Sequence, residues 1–149
     1  MSRAALLPLL ALLPLTLDAQ PDEAAQRDAV ERAVQDYVEG FYHAKPELIE
    51  RGVHPDLVKY GFARRSSEDP YKGRPMTFDQ AVQLADRWNA DGRQGEDLTY
   101  EIEIFDVADQ TACAKLTAKW GIDYFHLAKY DGAWKIRHVM WQTHPPKKG

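Results

Sequence analysis

Two polar residues set among apolar ones near the C-terminus are the best candidates for chemistry in this chain. Asp131-Gly132 is a strong two-residue hairpin signal, and it pairs Tyr130 with Ala133 and Lys129 with Trp134. Continued without interruption, that register sets Phe125 opposite His138 and Asp123 opposite Met140. One face then holds Asp123, Phe125, Leu127, Trp134, Ile136, His138 and Met140. The other holds Tyr124, His126, Ala128, Tyr130, Arg137, Val139 and Trp141. The first face is the more apolar and is expected to lie against the helices. On it Asp123 and His138 are diagonal neighbours, so the carboxylate would orient an imidazole acting in acid–base chemistry or donating to a ligand. The plainer reading is a structural pair in which each buried polar group satisfies the other. Tyr37, Tyr60 and Trp88, from a helix, a strand and a second helix, are the expected lining of a cavity suited to a flat ligand. At their spacing they would serve equally well as ordinary core.

Other chemistries lack their residues. The five histidines include no pair at metal-ligand spacing, and Cys113 is the one cysteine, so no intrachain disulfide can form. Cys113 falls in a strand-like stretch and reads as a structural thiol. Gly92 and Gly95 bracket a polar turn without a phosphate-loop pattern, and no nucleophile-elbow motif is present. Ser66 and Ser67 have no evident histidine partner in sequence. No metal and no cofactor is expected. His54 before Pro55 reads as a turn residue at the edge of the cavity, and His43 and His144 lie near element ends. The net charge is -4 and the basic residues are scattered, which leaves no electrostatic footprint for nucleic acid or an anionic membrane.

Helices come first in the elements that must position these residues. Val30, Ala33, Val34, Tyr37, Val38 and Phe41 recur at helical spacing and predict a helix over 22–43, with Asp22 as N-cap. Pro46 suits the first residue of a short helix ending near Gly52. After a His54-Pro55-Asp56 turn, Leu57 to Phe62 reads as a strand, with Val58, Tyr60 and Phe62 alternating against Lys59 and Gly61. Residues 63–75 read as a polar loop that could act as a lid. Thr77 and Gln80 form a capping box for a helix over 77–91. Strands follow from Leu98 to Phe105, Thr111 to Trp120, Gly121 to Tyr130 and Ala133 to Thr143. Helices followed by a meander argue for an α+β fold with helices on one face of a curved antiparallel sheet. The outer face carries aromatic residues and is expected in an oligomer interface.

The N-terminus has the plan of a secretory signal. Met1-Ser2-Arg3 is a short positive region, Ala4 to Leu17 is uncharged and Leu-rich, and Ala19 precedes a cleavage point. The run is too short to span a bilayer and contains Pro8 and Pro14. The expectation is a cleaved segment 1–19, a periplasmic or secreted domain over 20–149 with a mobile C-terminal tail, and no membrane span after cleavage.

The first helix ending Tyr37-Val38-Glu39-Gly40-Phe41-Tyr42, the Pro46 helix and the His54-Pro55-Asp56 turn resemble the nuclear transport factor 2-like fold. The closing run Asp123-Tyr124-Phe125-His126-Leu127-Ala128-Lys129, with Asp131-Gly132-Ala133-Trp134-Lys135-Ile136, is similar to the "putative lumazine-binding" branch of that superfamily. The resemblance covers about residues 26 to 142 and implies a cone-shaped pocket, a small aromatic or hydrophobic ligand and a homodimer through the sheet. The superfamily also contains ketosteroid isomerase, scytalone dehydratase and polyketide cyclases. Carried over from the isomerase, the oxyanion-hole tyrosine matches Tyr37, the general base falls at Gly61 and the second oxyanion-hole acid falls near Leu127. Two of the three functional groups are missing, which argues against that activity. The expectation is therefore an exported small-molecule-binding or accessory protein with an interior hydrophobic pocket. The alternatives are a small hydrolyase, isomerase or cyclase using His138, Asp123 and Tyr37, or an interaction module using the outer sheet face.

Overall fold

The computed structural model describes residues 22–146; the predicted signal segment 1–19 and the last residues of the tail lie outside them. Helix α1 (Glu23–Tyr42) follows from its apolar stripe, and Val30, Ala33, Val34, Tyr37, Val38 and Phe41 are all buried. Asp22 precedes it but makes no side-chain cap bond. Helix α2 (Pro46–Gly52) begins on its proline, as expected. Arg51 of α2 donates through Nε and Nη2 to the two carboxylate oxygens of Asp36 at 2.7 and 2.6 Å, fastening α2 to α1. Strand β1 (Val53–Ala63) starts at once, so His54-Pro55-Asp56 is not a separate turn. It lies where the pairing of β1 jumps in register between Val53 and Val58.

Part of the expected 63–75 loop is a short edge strand, β2 (Lys72–Met76), paired antiparallel to β1. Helix α3 (Phe78–Trp88) is capped reciprocally by Thr77 and Gln80. The meander comprises β3 (Glu101–Val107), β4 (Thr111–Ala118), β5 (Gly121–Tyr130) and β6 (Ala133–Gln142). The order across the sheet is β2-β1-β6-β5-β4-β3. β1 runs parallel to β6, so the sheet is mixed and not wholly antiparallel. The crossover that makes this possible is the whole stretch carrying α3 and the meander.

The β5–β6 hairpin turns at Asp131-Gly132, both with positive φ (49° and 80°), the backbone that the two-residue turn requires. Tyr130 pairs with Ala133 and Lys129 with Trp134, as the sequence indicates. The register then slips. Leu127 pairs with Ile136 but His126 pairs with His138, so Arg137 is an extra residue and β6 carries a β-bulge. Arg137 bonds to the carbonyl of Asp56, tying this bulge to the irregularity in β1.

A one-residue insertion exchanges the two faces of everything beyond it. Asp123 and Phe125 remain inward, but His138 and Met140 point outward and Val139 and Trp141 turn toward the helices. Asp123 lies opposite Trp141, not Met140, and Phe125 opposite Val139, not His138. β1 also shows the face opposite to the expected one. Leu57, Lys59 and Gly61 are inside, while Val58, Tyr60 and Phe62 are 57, 40 and 43% exposed.

Candidate functional site

The inward parities of β1, β5 and β6 bring one polar cluster together beneath α1. Tyr37 donates its hydroxyl proton to Asp123 Oδ1 at 3.2 Å. Trp120, at the turn between β4 and β5, donates Nε1 to Asp123 Oδ2 at 2.5 Å. Lys59 Nζ donates to the Tyr37 oxygen and lies 4.0 Å from Asp123 Oδ1. The side chains of Lys59 and Asp123 are 6 and 0% exposed, so both charges sit in the interior. A geometric constraint follows. The Tyr37 proton is directed at Asp123, so its oxygen can only accept from Lys59, and the remaining valences of Nζ are directed elsewhere.

They meet a cavity of about 90 Å³. Its floor is Lys59 and Tyr37, its walls are Phe41, Trp120 and Trp141, and Met76, Leu84 and Trp88 from β2 and α3 close it. The walls are fixed by edge-to-face packing: Tyr37 against Phe41 at 5.1 Å, and Trp120 against Phe41 at 5.5 Å and Trp88 at 5.3 Å. Lys59 Nζ also lies 5.0 Å from the Tyr37 ring centre and 5.7 Å from that of Trp141. Trp141 lies flat over Gly61, where an added Cβ would come within 1.9 Å of the indole nitrogen. That nitrogen is buried and has no hydrogen-bond partner among the described residues.

Burial governs the protonation of this cluster. It pushes the Tyr37 phenol well above its ordinary value, and the adjacent Asp123 carboxylate adds to the shift. Burial lowers the Lys59 ammonium and raises the Asp123 carboxyl, each toward its neutral form. Their mutual attraction opposes both shifts, and the Trp120 and Tyr37 bonds to Asp123 oppose the second further. The cluster thus joins a lysine, a phenol and a carboxyl through Tyr37 in the interior.

Of the residues expected from the sequence, Tyr37 and Trp88 line the cavity and Asp123 lies directly behind Tyr37. His138 does not join them. The β6 bulge turns it to the outer face, exposed and 5.8 Å from the ring of His126, so the Asp123–His138 pair does not form. Tyr60 is likewise outside, its hydroxyl over Gly73 of β2. The partner Asp123 does have is Lys59, which the apolar alternation of Val58, Tyr60 and Phe62 had assigned to solvent. Both faces of β1 are partly apolar, so alternation alone could not choose between them. The uninterrupted register that places His138 inside places Trp141 outside, and the same bulge reverses both. Gly61 carries no base, and the Trp141 indole fills the space where its side chain would project. Among the described residues, no group of three or more metal-ligating side chains is assembled, and no helix is long and apolar enough to cross a membrane.

Helices laid over one face of an open six-stranded mixed sheet, with a cavity between them, define a protein of the NTF2-like class. The same fold is seen in an NTF2-like protein of unknown function from Shewanella baltica, 16% identical, with a TM-score of 0.64 over 83% of this chain and 98% of that one. A second, from Silicibacter pomeroyi, is 14% identical with a TM-score of 0.63, over 81 and 98% of the two chains. A putative scytalone dehydratase from Novosphingobium aromaticivorans is 14% identical with a TM-score of 0.54, over 85 and 96%. At such identities the likeness is one of fold. Among curated proteins no match reaches significance. Within the class, the chain belongs to the family described as "Putative lumazine-binding", whose model matches residues 25–142.

Proposed function

We propose that this chain is an exported binding protein whose cavity takes a small organic molecule bearing a hydrogen-bond acceptor. The observation that carries the proposal is Lys59: a side chain 6% exposed whose Nζ has one hydrogen-bond partner among the described residues, Tyr37, on the floor of an otherwise aromatic and aliphatic cavity. A buried donor with unused protons makes an acceptor the complementary ligand group. Volume limits its size. A cavity of roughly 150 Å³ holds benzene, and this one measures about 90 Å³. A ring therefore enters with its acceptor on Lys59 only as Leu84 and Trp88 give way. α3, which carries both, buries only Ala81 and Ala85 completely, a shallow attachment that suits a movable cover. The family description is consistent with a heterocycle of this kind. The test is titration of the purified protein with one- and two-ring heterocyclic carbonyl compounds, followed by ligand-observed NMR. Binding weakened at least tenfold in Lys59→Met supports the reading; binding equal in the two proteins removes Lys59 from it.

Export rests on the 1–19 pattern, and the intact mass of protein recovered from the periplasm or medium tests it. A mass beginning at Gln20 supports cleavage, and a full-length mass rejects it. A homodimer through the outer sheet is supported by a contiguous apolar patch. Tyr60, Met140 and Tyr124 lie in one row across β1, β6 and β5, flanked on β1 by Val58 and Phe62. Met140→Lys should convert the dimer to a monomer in light scattering.

An enzymatic reading has one observation in its favour. Tyr37 lines the cavity and is hydrogen-bonded at 3.2 Å to the buried Asp123 behind it, so a reacting oxygen there would meet a phenol backed by a carboxyl. The titratable set is then Tyr37, Asp123 and Lys59, with His138 outside it. Turnover of a dehydratase or isomerase substrate that Tyr37→Phe abolishes would favour this reading over simple binding.

A further inference from the structure

The polar floor of the cavity has the parts of a site for covalent capture of a carbonyl. Nζ of Lys59 donates to Tyr37, whose own proton goes to Asp123, so the Tyr37 contact does not occupy the nitrogen lone pair. No acceptor other than Tyr37 is hydrogen-bonded to Nζ among the described residues, and Nζ lies within 6 Å of the ring centres of the lining residues Tyr37, Phe41 and Trp141. The titratable groups facing it are Tyr37 from α1 and Asp123 from β5. What β6, β2 and α3 present there is Trp141, Met76, Leu84 and Trp88, none of them charged. A lysine amine in a desolvated pocket beside a phenol and a carboxyl is the standard requirement for imine chemistry.

We propose that Lys59 forms a reversible imine with a small aldehyde or ketone in this cavity, with Tyr37 and Asp123 moving the protons. The proposal rests on the cavity being the ligand site, as inferred above. The neutral Nζ attacks the carbonyl carbon, forming a C–N bond while the C=O π pair moves to oxygen. That oxygen takes the Tyr37 proton. The ammonium that results returns a proton to Tyr37 along its existing hydrogen bond, and Asp123 again accepts from the Tyr37 hydroxyl. The carbinolamine hydroxyl, protonated by the same pair, leaves as water as C=N forms, and the proton left on the imine nitrogen returns to the pair. One carbonyl and one amine give one imine and one water, with no change of oxidation state.

The test uses the mature protein, propanal as probe and borohydride to reduce any imine to a stable propyl amine, followed by peptide mapping. The reaction is run near pH 6.5, where an ordinary surface lysine has only about one amine in ten thousand unprotonated. The expected result is one propyl group on the peptide carrying Lys59, formed at least tenfold faster than on exposed lysines such as Lys72 or Lys119. Asp123→Asn should shift the pH profile of labelling, which loss of shape alone would not do. Lys59→Met with Asp123→Asn, which removes both charges together, should abolish labelling while the protein stays folded. Labelling spread over exposed lysines with Lys59 unmodified overturns the proposal. If 1-propanol still shifts the cavity resonances in that experiment, the binding reading survives and only the imine fails; if it does not, both fail. The wild-type peptide map decides the matter even where a variant misfolds.

Discussion

Removing either member of the buried pair should cost far more than removing both. At 4.0 Å and an effective dielectric near 20, Lys59 and Asp123 attract by about 4 kcal/mol. Desolvating each ion costs several kcal/mol, so the pair as a whole is near break-even. Lys59→Met leaves Asp123 in the interior with Tyr37 and Trp120 as its side-chain donors among the described residues, and Asp123→Asn leaves an uncompensated ammonium. Each orphan can neutralise by gaining or losing a proton, which limits the loss, so each single change is expected to cost about 2–3 kcal/mol at pH 7. In a domain of this size that lowers the Tm by roughly 10 °C. The double variant should fall within about 1 kcal/mol of wild type, giving a coupling of roughly 4 kcal/mol.

The two single variants should also respond to pH in opposite directions. In Lys59→Met the carboxyl loses the attraction that opposed its upward shift. Its stability is then greatest below the unfolded carboxylate range and is lost as pH rises through the raised folded value. In Asp123→Asn the amine falls further below the ordinary lysine value. That variant is most stable at alkaline pH and loses stability as pH falls through the folded value. Urea denaturation of the four proteins at several pH values measures both effects. Additive single changes, or pH slopes of the same sign, would refute a coupled buried pair.

Gly61→Ala should displace the Trp141 indole, because the new Cβ would come within 1.9 Å of its nitrogen. A cost of about 1–3 kcal/mol and a red shift of tryptophan emission are expected, the latter reporting the opened cavity. His138→Ala should change stability by less than about 0.5 kcal/mol and leave ligand titrations unchanged, since the side chain is exposed on the outer face. Thr77→Ala removes half of the capping box and should destabilise α3 by about 1 kcal/mol. Hydrogen exchange should then accelerate in residues 78–88 ahead of the sheet, as a loosely held cover requires.

Local signals in the sequence determined a good deal of this protein. The apolar stripe of α1, Pro46, the Thr77–Gln80 box and the Asp131-Gly132 turn each act within a few residues, and each appears where the sequence places it. Alternation in the meander likewise gave β3 to β6, and with the closing motif it pointed to the fold. Tyr37, Trp88 and Asp123 were legible as inward residues because helical spacing and the first half of the hairpin register were enough to orient them. The partner of Asp123 was not. One bulged residue, Arg137, reversed the faces of the last part of β6, sending His138 out and Trp141 in. Nothing in the spacing of β6 announces it, because Val139 and Trp141 alternate as regularly as His138 and Met140 do. β1 was equally undecided by alternation. Which side of it faces the core depends on a parallel pairing with a strand some eighty residues later and on the register jump at its start. Only the tertiary structure could choose Lys59 over Tyr60, since side-chain direction in a strand is a matter of parity, and parity is fixed by pairing with distant chain.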